Sequence, residues 1–158
     1  MKKLLLVFVL SLSIISCSSD DDNPSVEGNL NASYELKFGG TVISSNSSIP
    51  LGMLLDVNSV ATQVSVVERD NEFMMLMTEI PINSGETIQL DNDEDVLIAL
   101  TGSKVADYSE NNEAIVIDLG TMTRSATKDK VSFTGTFIYN GITFTASGFI
   151  KSNGMKTH

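Results

Sequence analysis

From residue 31 onward the apolar positions recur every second residue. Tyr34, Leu36 and Phe38 alternate with Glu35, Lys37 and Gly39, as a strand with one buried face requires. The runs TQVSVVE (62–68) and EFMMLMTEI (72–80) flank Arg69-Asp70-Asn71, which reads as a hairpin turn. TIQL (87–90) and VLIAL (96–100) flank the acidic run DNDED, and AIVIDL (114–119) and TMTRSA (121–126) follow. Met74, Met75, Leu76 and Met77 are apolar on both faces, which predicts a central strand.

The last hairpin is the most sharply specified. VSFTGTFIYNGITFTASGFI (131–150) carries Asn140-Gly141 at its centre, the favoured pair for a two-residue type I′ turn. Folding about that turn pairs Tyr139 with Ile142, Phe137 with Phe144, Gly135 with Ala146, Phe133 with Gly148 and Val131 with Ile150, all on one face. The other face is Ser and Thr, with Ile138 and Phe149 as exceptions.

Nothing after residue 31 has helical period, and neither an internal repeat nor a second domain boundary is visible. Short strands separated by turns every 8–12 residues predict an all-β fold. The expected form is a single antiparallel β-sandwich over residues 31–152, with a small closed β-barrel as the alternative, and 153–158 as a C-terminal tail.

The amino terminus is built differently. Lys2 and Lys3 precede LLLVFVLSLSII (4–15), an uncharged apolar run of 12 residues. As a helix it spans roughly 18 Å, short of a ~30 Å hydrocarbon core. A positive start, a brief apolar run and a small residue at its end make a secretory signal over residues 1–16. The chain's one cysteine, Cys17, follows at once, and a lone thiol in an exported chain calls for an explanation.

Ile14-Ile15-Ser16-Cys17 resembles the lipobox of bacterial lipoproteins. That resemblance implies that Cys17 receives a diacylglycerol thioether and becomes the N-acylated first residue after cleavage. Two or more acyl chains anchor firmly where one is marginal. Ser18, Ser19, Asp20, Asp21 and Asp22 then open a polar stretch, 17–30, with the composition of a flexible tether. The run CSSDDDN is similar to the export signal of surface-displayed Bacteroidota lipoproteins, and implies transfer to the outer leaflet of the outer membrane. Small lipoproteins of that kind also have a similar ending, with Gly-x-Phe strands such as Gly135-Thr136-Phe137.

Charge and residue types narrow the function. The formal net charge is −10, and loss of Lys2 and Lys3 leaves 8 basic against 20 acidic residues, or −12. As a whole such a surface repels nucleic acid and anionic headgroups. Asp91, Asp93 and Asp95 in DNDED alternate as at the start of a calcium loop. Val96 stands where that loop needs glycine, and Gly102 where it needs a bidentate glutamate. A looser calcium site with Asp107, Glu110 or Glu113 is therefore the lesser reading, and an acidic hairpin tip that discourages edge pairing the plainer one. Met74, Met75 and Met77 offer soft thioethers for copper(I). With no His or Cys nearby, and Met74 on the opposite face, they read as core.

No cofactor is expected beyond the lipid on Cys17. Catalysis is not expected either: His158, the only histidine, is the last residue, so Ser-His, Cys-His and His-zinc arrangements lack a member. The sequence thus predicts a lipid-anchored, surface-exposed, non-enzymatic binding or accessory lipoprotein of the outer membrane. It would engage a protein or polymer partner through its loops or its Thr-rich face. The alternatives are a small carrier barrel for an apolar ligand and a periplasm-facing structural lipoprotein.

Overall fold

The computed structural model describes residues 30–45, 49–55, 60–68, 70, 72–91, 95–109, 113–117 and 119–157. The signal segment, Cys17, the tether up to residue 29, Asp93, Glu110 and His158 lie outside them. Among the described residues, eleven strands form one antiparallel sheet: β1 (Leu30–Phe38), β2 (Thr41–Ser44), β3 (Ile49–Leu55), β4 (Ala61–Val67), β5 (Met74–Met77), β6 (Thr87–Asp91), β7 (Ile98–Thr101), β8 (Ile115–Ile117), β9 (Leu119–Arg124), β10 (Lys130–Tyr139) and β11 (Ile142–Lys151). The all-β expectation holds, and the sheet is nearly closed, which is the barrel form of it.

The closure can be followed strand by strand. β1 pairs through Leu30–Ala32 with β3 and through Ser33–Phe38 with β11, so it turns from one half of the sheet into the other. β2 continues along the same side of β1 as β3, pairing with Glu35–Phe38. From β3 the ladder runs β4, β5, β7, β8, and the chain itself then carries β8 into β9, which pairs with β10. β10–β11–β1 completes a circuit of eight strand positions, with β6 added on the free side of β9.

Glycines make the β8–β9 corner. Gly120 has φ +145° and faces Gly135 across the β9–β10 ladder. A Cβ on Gly135 would lie 2.5 Å from Ile117 Cγ2, and one on Gly120 would strike the Thr134 carbonyl. Only without side chains can β8 press over β10 at this seam.

Alternation decides what fills the interior. Tyr34, Leu36, Phe38, Val64, Val66, Met75, Met77, Ile98, Ile117, Met122, Phe133 and Ile150 are all buried in one cluster. An eight-position barrel is just wide enough for its inward side chains to meet. Met74 is directed away from Met75 and Met77, and Leu76 joins a smaller cluster with Leu97 and Ala99 on the opposite face. β5 lies between β4 and β7, the central place that its two-faced apolarity predicts. The β10–β11 register matches every predicted pair, from Tyr139–Ile142 to Val131–Ile150, and Asn140 (φ +50°) and Gly141 (φ +73°) take the left-handed conformations a type I′ turn demands.

Short 3-10 turns sit over both ends of the barrel. At the end reached by Gly39-Gly40 and Asn140-Gly141, Ser103–Tyr108 inserts Val105 (1 % exposed) and lays Tyr108 on Phe38, ring centroids 4.5 Å apart. At the opposite end, where β1 begins, Asn153–Thr157 inserts Met155, and Arg124 Nη2 donates to the Met155 carbonyl at 2.7 Å. Ser152 Oγ donates to the Asn31 carbonyl at 2.7 Å, tying this turn to the start of β1. Residues 153–157, read from the sequence as a tail, thus close one mouth of the barrel.

The acidic run requires a correction. β6 pairs with β9, and β7 lies between β5 and β8, so DNDED joins two halves of the barrel and is not a hairpin tip. Its flanking strands look like hairpin partners because they are neighbours in sequence. β6 pairs instead with β9, three strands on, and β7 with β5, on the other side of β6, and with β8. β2 and β3 were not anticipated, because Ser44 to Pro50 interrupts the alternation between them.

Candidate interaction surface

The end carrying the β10–β11 turn holds the densest set of polar and aromatic contacts. Tyr34, inside the barrel, stacks on Phe73 (4.6 Å) and donates its hydroxyl to Glu68 Oε1 at 2.8 Å. The other carboxylate oxygen of Glu68 receives Lys104, whose ammonium also lies 3.6 Å from Glu72. Burial, then the bond to Glu68, pushes the Tyr34 phenol above its ordinary range. The Glu68 bond, foremost, holds the Lys104 ammonium above its usual value. A phenol that keeps its proton and an ammonium engaged by two carboxylates make a clasp. They fasten the Ser103–Tyr108 turn to the β4–β5 connection, which the Glu68 N–H closes on the Phe73 carbonyl at 2.8 Å.

Beyond the clasp the β10–β11 hairpin stands clear of its neighbours. Pairing of β9 with β10 stops at Thr136, and that of β1 with β11 stops at Ala146, so residues 137–145 project past both. The inner side of the projection is aromatic: Phe137 and Phe144 stack at 5.4 Å, and Tyr108 meets Phe144 edge-on at 5.6 Å. Its tip is aliphatic, with Ile138 74 % and Ile142 60 % exposed. Exposed acidic side chains, Asp70, Glu72, Asp107 and Glu113, belong to the turns at this same end. Apolar anchors within a charged rim are the anatomy of a protein interface.

The outer face of β6, β9, β10 and β11 is the Thr-rich face of the sequence. Thr87, Thr123 and Ser132 align across three strands, as do Gln89, Thr121, Thr134 and Ser147 across four. The hydroxyls of Thr87 and Thr123 are 2.9 Å apart. Ser132 Oγ donates to the Thr123 carbonyl at 3.5 Å, and Ile138 breaks the polar pattern at the projecting tip.

The remaining candidates separate. Asp91 ends β6, and Asp95, also exposed, precedes β7. Among the described residues no group of three His, Cys, Asp or Glu side chains is placed to hold a metal ion. Met75 and Met77 face the sealed interior. Among the described residues no helix is long and apolar enough to cross a membrane. Sequence reasoning missed the Tyr34–Glu68–Lys104 clasp, whose members are 34 and 36 residues apart. It did mark Ile138 as an apolar exception on a polar face.

Comparison of the chain with family models, curated proteins and solved structures finds no match to any of them.

Proposed function

We propose that the chain is a lipid-anchored, non-enzymatic binding module of the bacterial outer membrane, displayed at the cell surface through acylated Cys17. The observation that carries the reading is Ile14-Ile15-Ser16-Cys17 followed by Ser18, Ser19 and Asp20–Asp22, set directly before a strand-built body that begins at Leu30. The tether enters at one end of the barrel, and the projecting hairpin occupies the other. A tether of about a dozen residues has a root-mean-square reach on the order of 20 Å. The hairpin end therefore faces away from the bilayer, toward a protein partner that offers an apolar cleft with a basic rim. Buried aliphatic and Tyr anchors would supply affinity, and the acidic rim would steer encounter.

Crosslinking from Asn140 on intact cells of the native host, followed by identification of the captured protein, tests the contact. Cys17→Ser should release the protein from the membrane, and retention would refute the anchor. Protease added to intact cells separates surface display, which exposes the body, from a periplasm-facing structural role, which shields it. The eight-position barrel favours one second reading, a carrier for an apolar ligand. That reading requires the Ser103–Tyr108 turn to swing away and the core side chains to yield, and titration with a fluorescent fatty acid tests it.

A further inference from the structure

Aromatic rings are spread unevenly through the folded body. Of the nine Phe and Tyr residues from Leu30 onward, five meet at the hairpin end: Phe38, Tyr108, Phe137, Tyr139 and Phe144. Phe38 and Phe137 are buried and meet edge-on at 5.7 Å. Tyr108, Tyr139 and Phe144 are half-buried against the same cluster. Tyr108 is inclined 58° to Tyr139 and 82° to Phe144, with centroids 6.4 and 5.6 Å apart. Rings so inclined do not cover one another's faces, and each keeps part of its surface open. Gly39 fixes the place of Tyr108: a Cβ there would lie 2.8 Å from the Tyr108 hydroxyl oxygen, so the ring rests on bare backbone.

The charge around these rings has one sign. Glu68, Asp70, Glu72, Asp107 and Glu113 are the acidic residues described in the turns of this end, and Lys104 is the one basic residue described there. Lys104 is already held between Glu68 and Glu72. Arg69 and Glu110, outside the described residues, add one charge of each sign. Lys37, farther down β1, is matched by Glu35 at 2.9 Å. Asp107 directly precedes Tyr108, and the Glu113 carbonyl accepts the hydroxyl of Ser109, the residue after Tyr108, at 2.5 Å. Both carboxylates are exposed, and among the described residues neither is in an ion pair. The one cation described over a ring, Lys130 at Phe149, belongs to the other end.

We propose that the shoulder formed by Tyr108, Tyr139 and Phe144 takes an arginine side chain of a protein partner, its guanidinium against a ring and its N–H groups turned to Asp107 and Glu113. The inference rests on the hairpin end being the binding end, and it names the chemistry that end selects. The face of an aromatic ring is electronegative and attracts a cation. A guanidinium suits the place better than an ammonium, because it is planar, weakly hydrated and forked toward carboxylates. An apolar partner would strip water from Asp107 and Glu113 and put nothing in its place, whereas a guanidinium replaces it. The arginine stem has its own apolar contact in Ile142, paired with Tyr139 and 60 % exposed.

The test uses the chain from residue 17 with Cys17→Ser and three fluorescein-labelled peptides in which Gly alternates with Arg, with Lys or with neutral citrulline. By fluorescence anisotropy the Arg peptide should bind, the Lys peptide about fivefold more weakly, and the citrulline peptide not at all. Tyr139→Leu should weaken the Arg peptide about fivefold, and Tyr139→Phe, which keeps the ring, by less than about twofold. Asp107→Asn with Glu113→Gln should weaken it and flatten its dependence on salt. Phe149→Leu, at the other end, should change nothing. Circular dichroism and thermal melting establish that each variant is folded. An Arg peptide that fails to bind, citrulline or Lys peptides that bind as well as it does, or equal affinities for Tyr139→Leu and Tyr139→Phe overturn the proposal. If the peptides fail while a crosslinker at Asn140 still captures a protein on cells, the binding end stands and the arginine site falls. If the Arg peptide binds as expected and no protein is captured, the site stands and the cellular reading falls.

Discussion

The two mouths of this barrel are closed by the same device and serve opposite ends of the molecule. At the end where β1 begins, Met155 is fully buried and its carbonyl is held by the buried Arg124 guanidinium, whose pKa burial lowers. At the hairpin end, Val105 is buried, but Tyr108 is only half-buried and the fastening is a surface clasp, Lys104 between Glu68 and Glu72. One closure is anchored in the core, the other at the rim. A lid fixed in the core holds the end where β1 begins rigid. A lid fixed at the rim leaves aromatic and aliphatic groups near the surface.

Truncating each lid measures that difference. Met155→Ala should cost about 3 kcal/mol of unfolding free energy, because a buried side chain leaves a cavity that closes poorly. Tyr108→Ala, in a half-buried ring cluster, should cost about 2 kcal/mol. Urea denaturation of both variants gives the order, and an equal or reversed pair would mean that the hairpin-end lid is as deeply fixed as the other. Tyr34→Phe removes one hydrogen bond to Glu68 and should cost about 1 kcal/mol.

The ends also answer pH in opposite directions. The Thr127 and Ser125 hydroxyls, with Lys151 and Lys156 nearby, hold the Asp129 carboxyl below its ordinary 3.8. A depressed carboxyl contributes stability that is present above 3.8 and is lost as pH falls through its folded value. Lys104 is raised above 10.5, so its contribution is complete below that value and is lost as pH rises through the folded one. The turn around Asp129 therefore loosens in acid and the hairpin-end clasp in alkali. Asp129→Asn should flatten only the acid limb of the urea midpoint against pH, and Lys104→Met only the alkaline limb. Both changes are small, since solvent screens these side chains.

What the sequence could tell was limited by distance along the chain. The β10–β11 register was legible to the residue because Asn140-Gly141 fixes the turn and alternation fixes the faces, all within 20 residues. β5 announced its central place by having no polar face. The β6 and β7 pairings were illegible, since β6 finds β9 and β7 finds β5 across intervening strands that nothing local specifies. The clasp shares that difficulty. Tyr34, Glu68 and Lys104 come together only after the barrel closes. Ile138 was visible as an exception, but its meaning depends on the hairpin projecting past β1 and β9, and no local pattern contains that fact.

Ile138 supplies the finest test of the contrast between the ends. It is 74 % exposed, so folding hides little of it, and Ile138→Ser should change stability by less than about 0.5 kcal/mol. The serine would only extend the Ser and Thr face, on which Ile138 is the most exposed apolar exception. Nothing in folding asks for isoleucine there, whereas an apolar tip costs solubility if it stays bare. If the hairpin end is the partner-binding end, Ile138→Ser together with Ile142→Ser should abolish capture by a crosslinker placed at Asn140 while leaving the urea midpoint and membrane retention unchanged. Capture that survives both substitutions would move the contact away from the tip, to the hydroxyl face of β6, β9, β10 and β11.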